Sequence, residues 1–133
     1  MRLKDCHSFG DFRELARRRL PSPIFNYIDG AADDESTYER NTKSFEDCDL
    51  VPNVLRGVED IDMSVEILGH KIDMPIYCSP TALQRVFHHQ GEHAVAAAAD
   101  KYGTLFGVSS LGTVSLAEVR QKYTGPQCYQ FYY

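Results

Sequence analysis

Apolar and polar positions follow three different rhythms along the chain. From Ser8, apolar residues recur at helical spacing, with Phe12, Leu15 and Ala16 on one face. Ser8 with Asp11 three residues on predicts a capping box at the start of this helix. Arg17, Arg18 and Arg19 fall in its last turn, where cations complement the helix dipole. Leu20-Pro21 ends it, Pro23 opens a second helix through "IFNYID", and Gly30 stops that one. A third helix is predicted from Asp33 to about Phe45. The rhythm then turns to short β-type runs, "LVPNVL" and "VEILGHKID". Gly69 makes a hairpin turn in the second, and Pro52 confines the first to an edge or bulged strand.

From Met74 a repeat emerges. The apolar run "MPIYCSP" is followed by the helical "GEHAVAAAADKYG", the apolar "TLFGVSS", the helical "SLAEVRQKY" and the apolar "CYQFYY". Strand starts at Met74, Leu105 and Tyr129 lie 31 and 24 residues apart. Strands alternating with helices at this interval predict βαβ units and a parallel α/β sheet. An eight-fold barrel of about 250 residues spends about 31 per unit, so the spacing suits a TIM barrel as well as a doubly wound sheet. A dinucleotide fold wants GxGxxG after its first strand, and "SPTALQRVFHHQGE" lacks it, which disfavours a Rossmann domain. The expected organisation is therefore 1–73, helices and a β-hairpin, and 74–133, two βα units and a third strand.

Composition narrows the partners. With 43% hydrophobic and 25% charged residues, the 133-residue chain has the make-up of a globular domain. Nineteen acidic against 14 basic residues give a net charge of −5, and the basic ones are scattered outside "RELARRRL", which argues against nucleic acid. Cys6, Cys48, Cys78 and Cys128 form no CxxC pair, so reduced thiols are expected rather than a zinc knuckle or redox dithiol. Neither a signal peptide nor a membrane span is evident, and a cytoplasmic location is the expectation.

In parallel βα folds chemistry gathers where strands end. The three ends carry Ser79, Pro80, Thr81 and Ala82, then Ser109, Ser110 and Thr113, then Gln130 and Tyr132. Such a rim offers hydroxyl, amide and backbone N–H groups without a carboxylate. It suits a flat heteroaromatic ligand with carbonyl and ring-nitrogen edges, although ordinary strand-end and helix-capping polarity reads the same way. His88, His89 and His93 cluster, but "HHQGEH" is not HExxH, and a solvated loop leading into a helix is expected there rather than a metal site.

Five segments occur in order: "FNYIDGAADDESTYERN", "MPIYCSPTALQ", "HHQGEHAVAAAADKYGT", "VSSLGT" and "YQFYY". Together they resemble the N-terminal part of the FMN-dependent α-hydroxy acid dehydrogenases and oxidases, the group of glycolate oxidase, L-lactate dehydrogenase and mandelate dehydrogenase. The resemblance implies a TIM barrel preceded by a helical and hairpin segment, with FMN as cofactor and a small L-2-hydroxy acid as substrate. It implies that Tyr27 helps hold the substrate carboxylate and that Pro80, Thr81 and Ala82 pack against the flavin. Ser109 and Gln130 match residues that hydrogen-bond the flavin ring, and Tyr132 matches an active-site tyrosine near the reacting hydroxyl. Packing roles compete at each: Tyr27 in an amphipathic helix, Ser109 as a helix-starting hydroxyl, Tyr132 as a core aromatic. Ala31, His89 and Leu111 depart from the family's usual residues, and Leu111 leaves the choice of hydroxy acid open.

The oxidation needs a base at the hydroxyl and a cation for the carboxylate. In the family these are a histidine and arginines on late strands, with a lysine near the flavin, none of which has a counterpart here. The expectation is a truncated enzyme, inactive alone, whose full form is a homo-oligomer, a tetramer in the family. Oxygen, a quinone or a cytochrome are all open as electron acceptor, and a quinone-linked form would be peripheral at the inner face of a membrane. Two alternatives stand beside it: another flavin-dependent barrel such as type 2 isopentenyl diphosphate isomerase, and a short non-catalytic interaction module.

Overall fold

In the computed structural model, which describes residues 2–133, the first helix begins where its cap is expected. After a 3-10 turn at Leu3–Asp5, α1 spans Phe9–Arg19. The Ser8 hydroxyl accepts from Asp11 N–H at 3.3 Å, and Asp11 Oδ2 accepts from Ser8 N–H at 2.9 Å, so orphan donors of the first turn are satisfied. At the other end Glu14 sits between Arg17 and Arg18, which hold its carboxyl down at about 2. The residue before Pro21 is extended and closes α1, and α2 follows at Ser22–Asp29 with proline in its first turn. Arg13 on α1 grips Asp29 on α2 in a two-pronged ion pair of 2.5 and 2.9 Å. Helix α3 covers Ser36–Glu46, starting three residues later than the sequence suggests.

The run "LVPNVL" forms no strand. Pro52 has no N–H to give a ladder, and Leu50 and Val51, 95% and 85% exposed, have no apolar face to rest on. By contact the chain divides into two units, Met1–Gly57 and Val58–Tyr133.

In the second unit β1 (Val65–Ile67) and β2 (His70–Ile72) form the expected antiparallel hairpin, with Val65 opposite Ile72. Its two turn residues, Leu68 and Gly69, both take positive φ, the geometry that matches a two-residue hairpin to the twist of its strands. The apolar run from Met74 is reduced to one parallel bridge, Cys78 to Phe106, rather than a full strand. A one-turn helix, α4 (Gln84–Phe87), follows it where only a loop was expected. Then come α5 (Glu92–Lys101), β3 (Phe106–Val108), α6 (Leu116–Lys122, capped by Ser115) and β4 (Gln127–Tyr129). Strand β4 thus begins two residues before the expected Tyr129.

Strand β3 is buried along its whole length, with Cys78 on one side and β4 parallel on the other. Neighbours therefore follow chain order, as in an arc of a barrel, and the described strands close no barrel. The alanines of α5 explain how a helix reaches so close: Ala96 and Ala99 pack with Phe106, Val108, Val114 and Val119 in one cluster. Each fully buried Phe or Val there contributes about 1.5–3 kcal/mol. No helix among the described residues is long and apolar enough to cross a membrane.

Candidate functional site

Gly107, at the centre of β3, decides how the first strand end lies. A Cβ there would meet Pro80 Cδ at 2.7 Å, Cγ at 2.8 Å and N at 2.9 Å, so the Ser79–Pro80 backbone can cross the sheet only over a glycine. The following residues turn inward along the rim. Leu83 N–H donates to Leu111 O at 3.0 Å, and Gln84 Nε2 donates to Thr81 O at 3.2 Å. Within the described residues the N–H groups of Thr81 and Ala82 have no backbone partner, and the Thr81 hydroxyl makes only a long 3.5 Å contact with Ser79 O.

The second strand end is the turn after β3. Ser109 is 7% exposed, and its hydroxyl accepts from Leu111 N–H at 3.2 Å, which leaves its own proton to donate. Ser110 reaches the third strand end. Its N–H and hydroxyl both donate to Gln130 Oε1, at 3.2 and 3.1 Å. A backbone N–H can only donate, so the oxygen of the Gln130 carboxamide is the end held by Ser110. The NH2 end is then free to serve a ligand. Gln130 N–H donates to Val108 O at 2.9 Å, which fixes the residue just past β4.

Pro80, Thr81, Ala82, Ser109 and Gln130 are thus brought together on one rim, in chain order. Tyr132 lies two residues beyond Gln130 and is 69% exposed; because β4 ends at Tyr129, neither residue is inside the strand, as the expected start at Tyr129 would have had them. Tyr27 lies on α2 in the first unit, 57% exposed. A cleft of about 340 Å³ opens beside the second loop, with Ser109, Ser110 and Tyr129 in its wall.

The rim's own residues are uncharged. The loops 79–83 and 109–113 and Gln130 carry no Asp, Glu, Lys, Arg or His. Cys78, just before the first loop, has its thiol pushed up by burial, which favours the neutral form. Of the clustered histidines, His88 and His89 lie with ring centres 4.4 Å apart at a 39° tilt, and His93 Nε2 meets Glu118 Oε1 at 2.9 Å. That bond holds the Glu118 carboxyl below its usual range. No group of three or more His, Cys, Asp or Glu among the described residues is placed to hold a metal.

Two groups went unassigned in the sequence. Ser110 orients Gln130, and Glu92 is buried completely. Ser110 was legible only as strand-end polarity. For Glu92 the available signal was an acid opening a helix directly after a glycine.

The ends of parallel-paired segments in chain order, carrying neutral donors on one rim, place the chain in the class of parallel α/β barrel proteins. Residues 16–133 match the family model described as FMN-dependent dehydrogenase. Glycolate oxidase 1 of Oryza sativa subsp. indica is 38% identical over 122 residues, covering 92% of this chain and 33% of that protein. L-lactate dehydrogenase of Xanthobacter autotrophicus is 37% identical over 125 residues, covering 94% of this chain and 32% of that protein. Among solved structures, a mandelate oxidase superposes with a TM-score of 0.86 at 32% identity, over 95% of this chain and 36% of its own. A soluble mutant of the membrane-associated (S)-mandelate dehydrogenase from Pseudomonas putida gives 0.84 at 31%, over 92% and 35%.

The chain belongs to the FMN-dependent dehydrogenase family, whose members use FMN, and carries part of a TIM (β/α)8 barrel. It spans about a third of the length of the curated relatives it matches.

Proposed function

We propose that this chain forms the FMN-ring face of an enzyme that oxidises a small L-2-hydroxy acid, lactate- or glycolate-like, to the 2-keto acid. The observation that carries this reading is the uncharged rim, with the Gln130 carboxamide held by Ser110 so that its NH2 end serves as a donor. Thr81 and Ala82 N–H groups and the Ser109 hydroxyl add further donors, which fits the carbonyl and ring-nitrogen edge of a flavin. Bound FMN supplies a two-electron acceptor for the substrate's α-carbon. The chain's own part is to bind and orient: Pro80, Thr81 and Ala82 against the ring, Ser109 and Gln130 at its polar edge. In this reading Tyr27 holds the substrate carboxylate and Tyr132 its reacting hydroxyl.

The rim loops supply neither the base nor the carboxylate-clamping cation that the oxidation needs, and in this reading both belong to the part of the relatives' length that this chain does not span. The chain by itself is accordingly inactive. The reading is tested in the polypeptide translated from the complete reading frame that contains this chain. It is expected to purify with bound FMN that bleaches anaerobically on addition of lactate or glycolate. Gln130→Glu keeps the oxygen that Ser110 holds but replaces the donor by a carboxylate oxygen, and is expected to weaken FMN at least tenfold. A flavin-free protein, bound FMN that no 2-hydroxy acid bleaches, or undiminished FMN affinity in Q130E would overturn it.

A further inference from the structure

Glu92 is the first residue of α5, is 0% exposed, and has no ion-pair partner among the described residues. A carboxylate taken out of water without a cation is costly, so its hydrogen bonds must compensate. Both of its oxygens are engaged by one residue: Oε1 accepts from Thr113 N–H at 2.6 Å and Oε2 from the Thr113 hydroxyl at 2.7 Å. The same hydroxyl oxygen accepts from Arg85 N–H at 3.2 Å. One threonine side chain therefore ties the start of α5, the helix α4 and the end of the turn after β3 together.

The seating of α5 supports this. Gly91 has φ 52° and ψ −133°, a conformation open to glycine almost alone, and a Cβ on it would lie 2.6 Å from Arg85 Cγ and 3.2 Å from Arg85 N. Gly91 thus lets the start of α5 sit against Arg85, next to the bonds that Glu92 makes with Thr113. From Thr113 the contacts run on into the rim. Leu111, two residues back, accepts from Leu83 N–H, and Ser110 holds the Gln130 carboxamide.

We propose that Glu92, acting through Thr113, is a positioning residue that sets the two loops 80–83 and 109–113 in register so that their donors and Gln130 meet one flat ligand. This rests on the FMN reading above. The Glu92 side chain is fully buried, so losing either bond leaves a Thr113 donor or a Glu92 oxygen without its partner.

The test uses the polypeptide of the complete reading frame, with Glu92→Gln, Thr113→Val and Thr113→Ser, read by amide hydrogen exchange and by FMN titration. In E92Q and T113V, exchange at the Leu83 and Ser110 amides is expected to accelerate about tenfold and the FMN Kd to rise about tenfold, a difference of about 1.4 kcal/mol. T113S, which retains the hydroxyl, is expected to stay within about twofold of wild type on both. Neither amide bonds to Glu92 or Thr113, so a merely local structural role would leave them unmoved. Faster exchange confined to the Thr113 and Arg85 amides overturns the proposal, as does an unchanged FMN Kd in T113V. Should E92Q fail to fold, T113V decides alone. Should wild-type protein bind no FMN, the flavin reading falls, and exchange at Leu83 and Ser110 still decides whether Glu92 sets the loops.

Discussion

Gly107→Ala probes the close crossing that makes the rim possible. Gly107 is not among the residues with positive φ, so the backbone itself accepts an alanine. The obstacle is space: the new methyl would lie 2.7 Å from Pro80 Cδ and 2.9 Å from Pro80 N. Carbon atoms rest at about 3.5–4.0 Å, so Pro80 must retreat by about 1 Å. Pro80 is ring and backbone rather than the end of a flexible side chain, and the sheet beneath it is buried, so this cannot be relieved by a rotamer. Overpacking of this kind costs about 1–3 kcal/mol. Replacing glycine offsets part of that by stiffening the unfolded chain, about 0.4–1 kcal/mol. A net loss of between about 0 and about 2.6 kcal/mol remains, about 1.3 kcal/mol at mid-range, and since Thr81 and Ala82 follow Pro80 directly, FMN affinity falls with it. Urea unfolding and FMN titration of the complete polypeptide measure both. Gly10→Ala is the control: its nearest neighbour, Ser8 Oγ, is 3.7 Å away and its site is helical, so it is expected to be neutral or stabilising by up to about 1 kcal/mol. If G107A unfolds at the wild-type urea concentration and binds FMN equally well, the crossing does not control the rim.

Two further outcomes follow from the structure. The Asp11 carboxyl lies below its usual range because it accepts from His7 N–H, the Ser8 hydroxyl and Ser8 N–H. A depressed carboxylate contributes stability that is present above its unfolded value, about 3.9, and is lost as pH falls through the lower folded value. The His7 and Ser8 amide resonances should therefore share an acid transition with a midpoint below that of an ordinary aspartate, and that transition should be lost in Asp11→Asn; a midpoint above it would contradict the cap. Expressed alone, the 133-residue chain leaves β4 paired on one side only among the described strands, with Tyr129 in it and Phe131 and Tyr132 just beyond its end exposed, an apolar edge open to other chains. It is expected to self-associate, to melt with poor cooperativity and to bind no FMN, and a cooperatively melting yellow monomer would refute this.

Helix limits were legible because their causes are local. Ser8 and Asp11 are three residues apart, Pro21 acts on its own neighbour, and Ser115 caps the helix it precedes. The hairpin at Gly69 is equally local, as its turn selects its own register. Strands were less legible, since a strand exists only if a partner lies alongside. "LVPNVL" and "MPIYCSP" share the same apolar character, yet the first stays irregular and the second keeps a single bridge at Cys78. Helix α4 went unseen for a related reason: its N-cap Leu83 is held in a left-handed conformation whose N–H is bonded to Leu111.

The sequence by itself determined the order of helices and strand-like runs, the neutral character of the strand ends and the likeness to a flavoprotein family, all of which rest on residues near one another or on ordered motifs. Only the tertiary structure decided that Pro80 rides on Gly107, that Ser110 aims Gln130, and that Glu92 is spent on Thr113. Those pairs are distant in the chain, 20 residues apart for Ser110 and Gln130 and 21 for Glu92 and Thr113. Their meeting depends on which strand lies beside which, and no local pattern of apolar and polar residues encodes that.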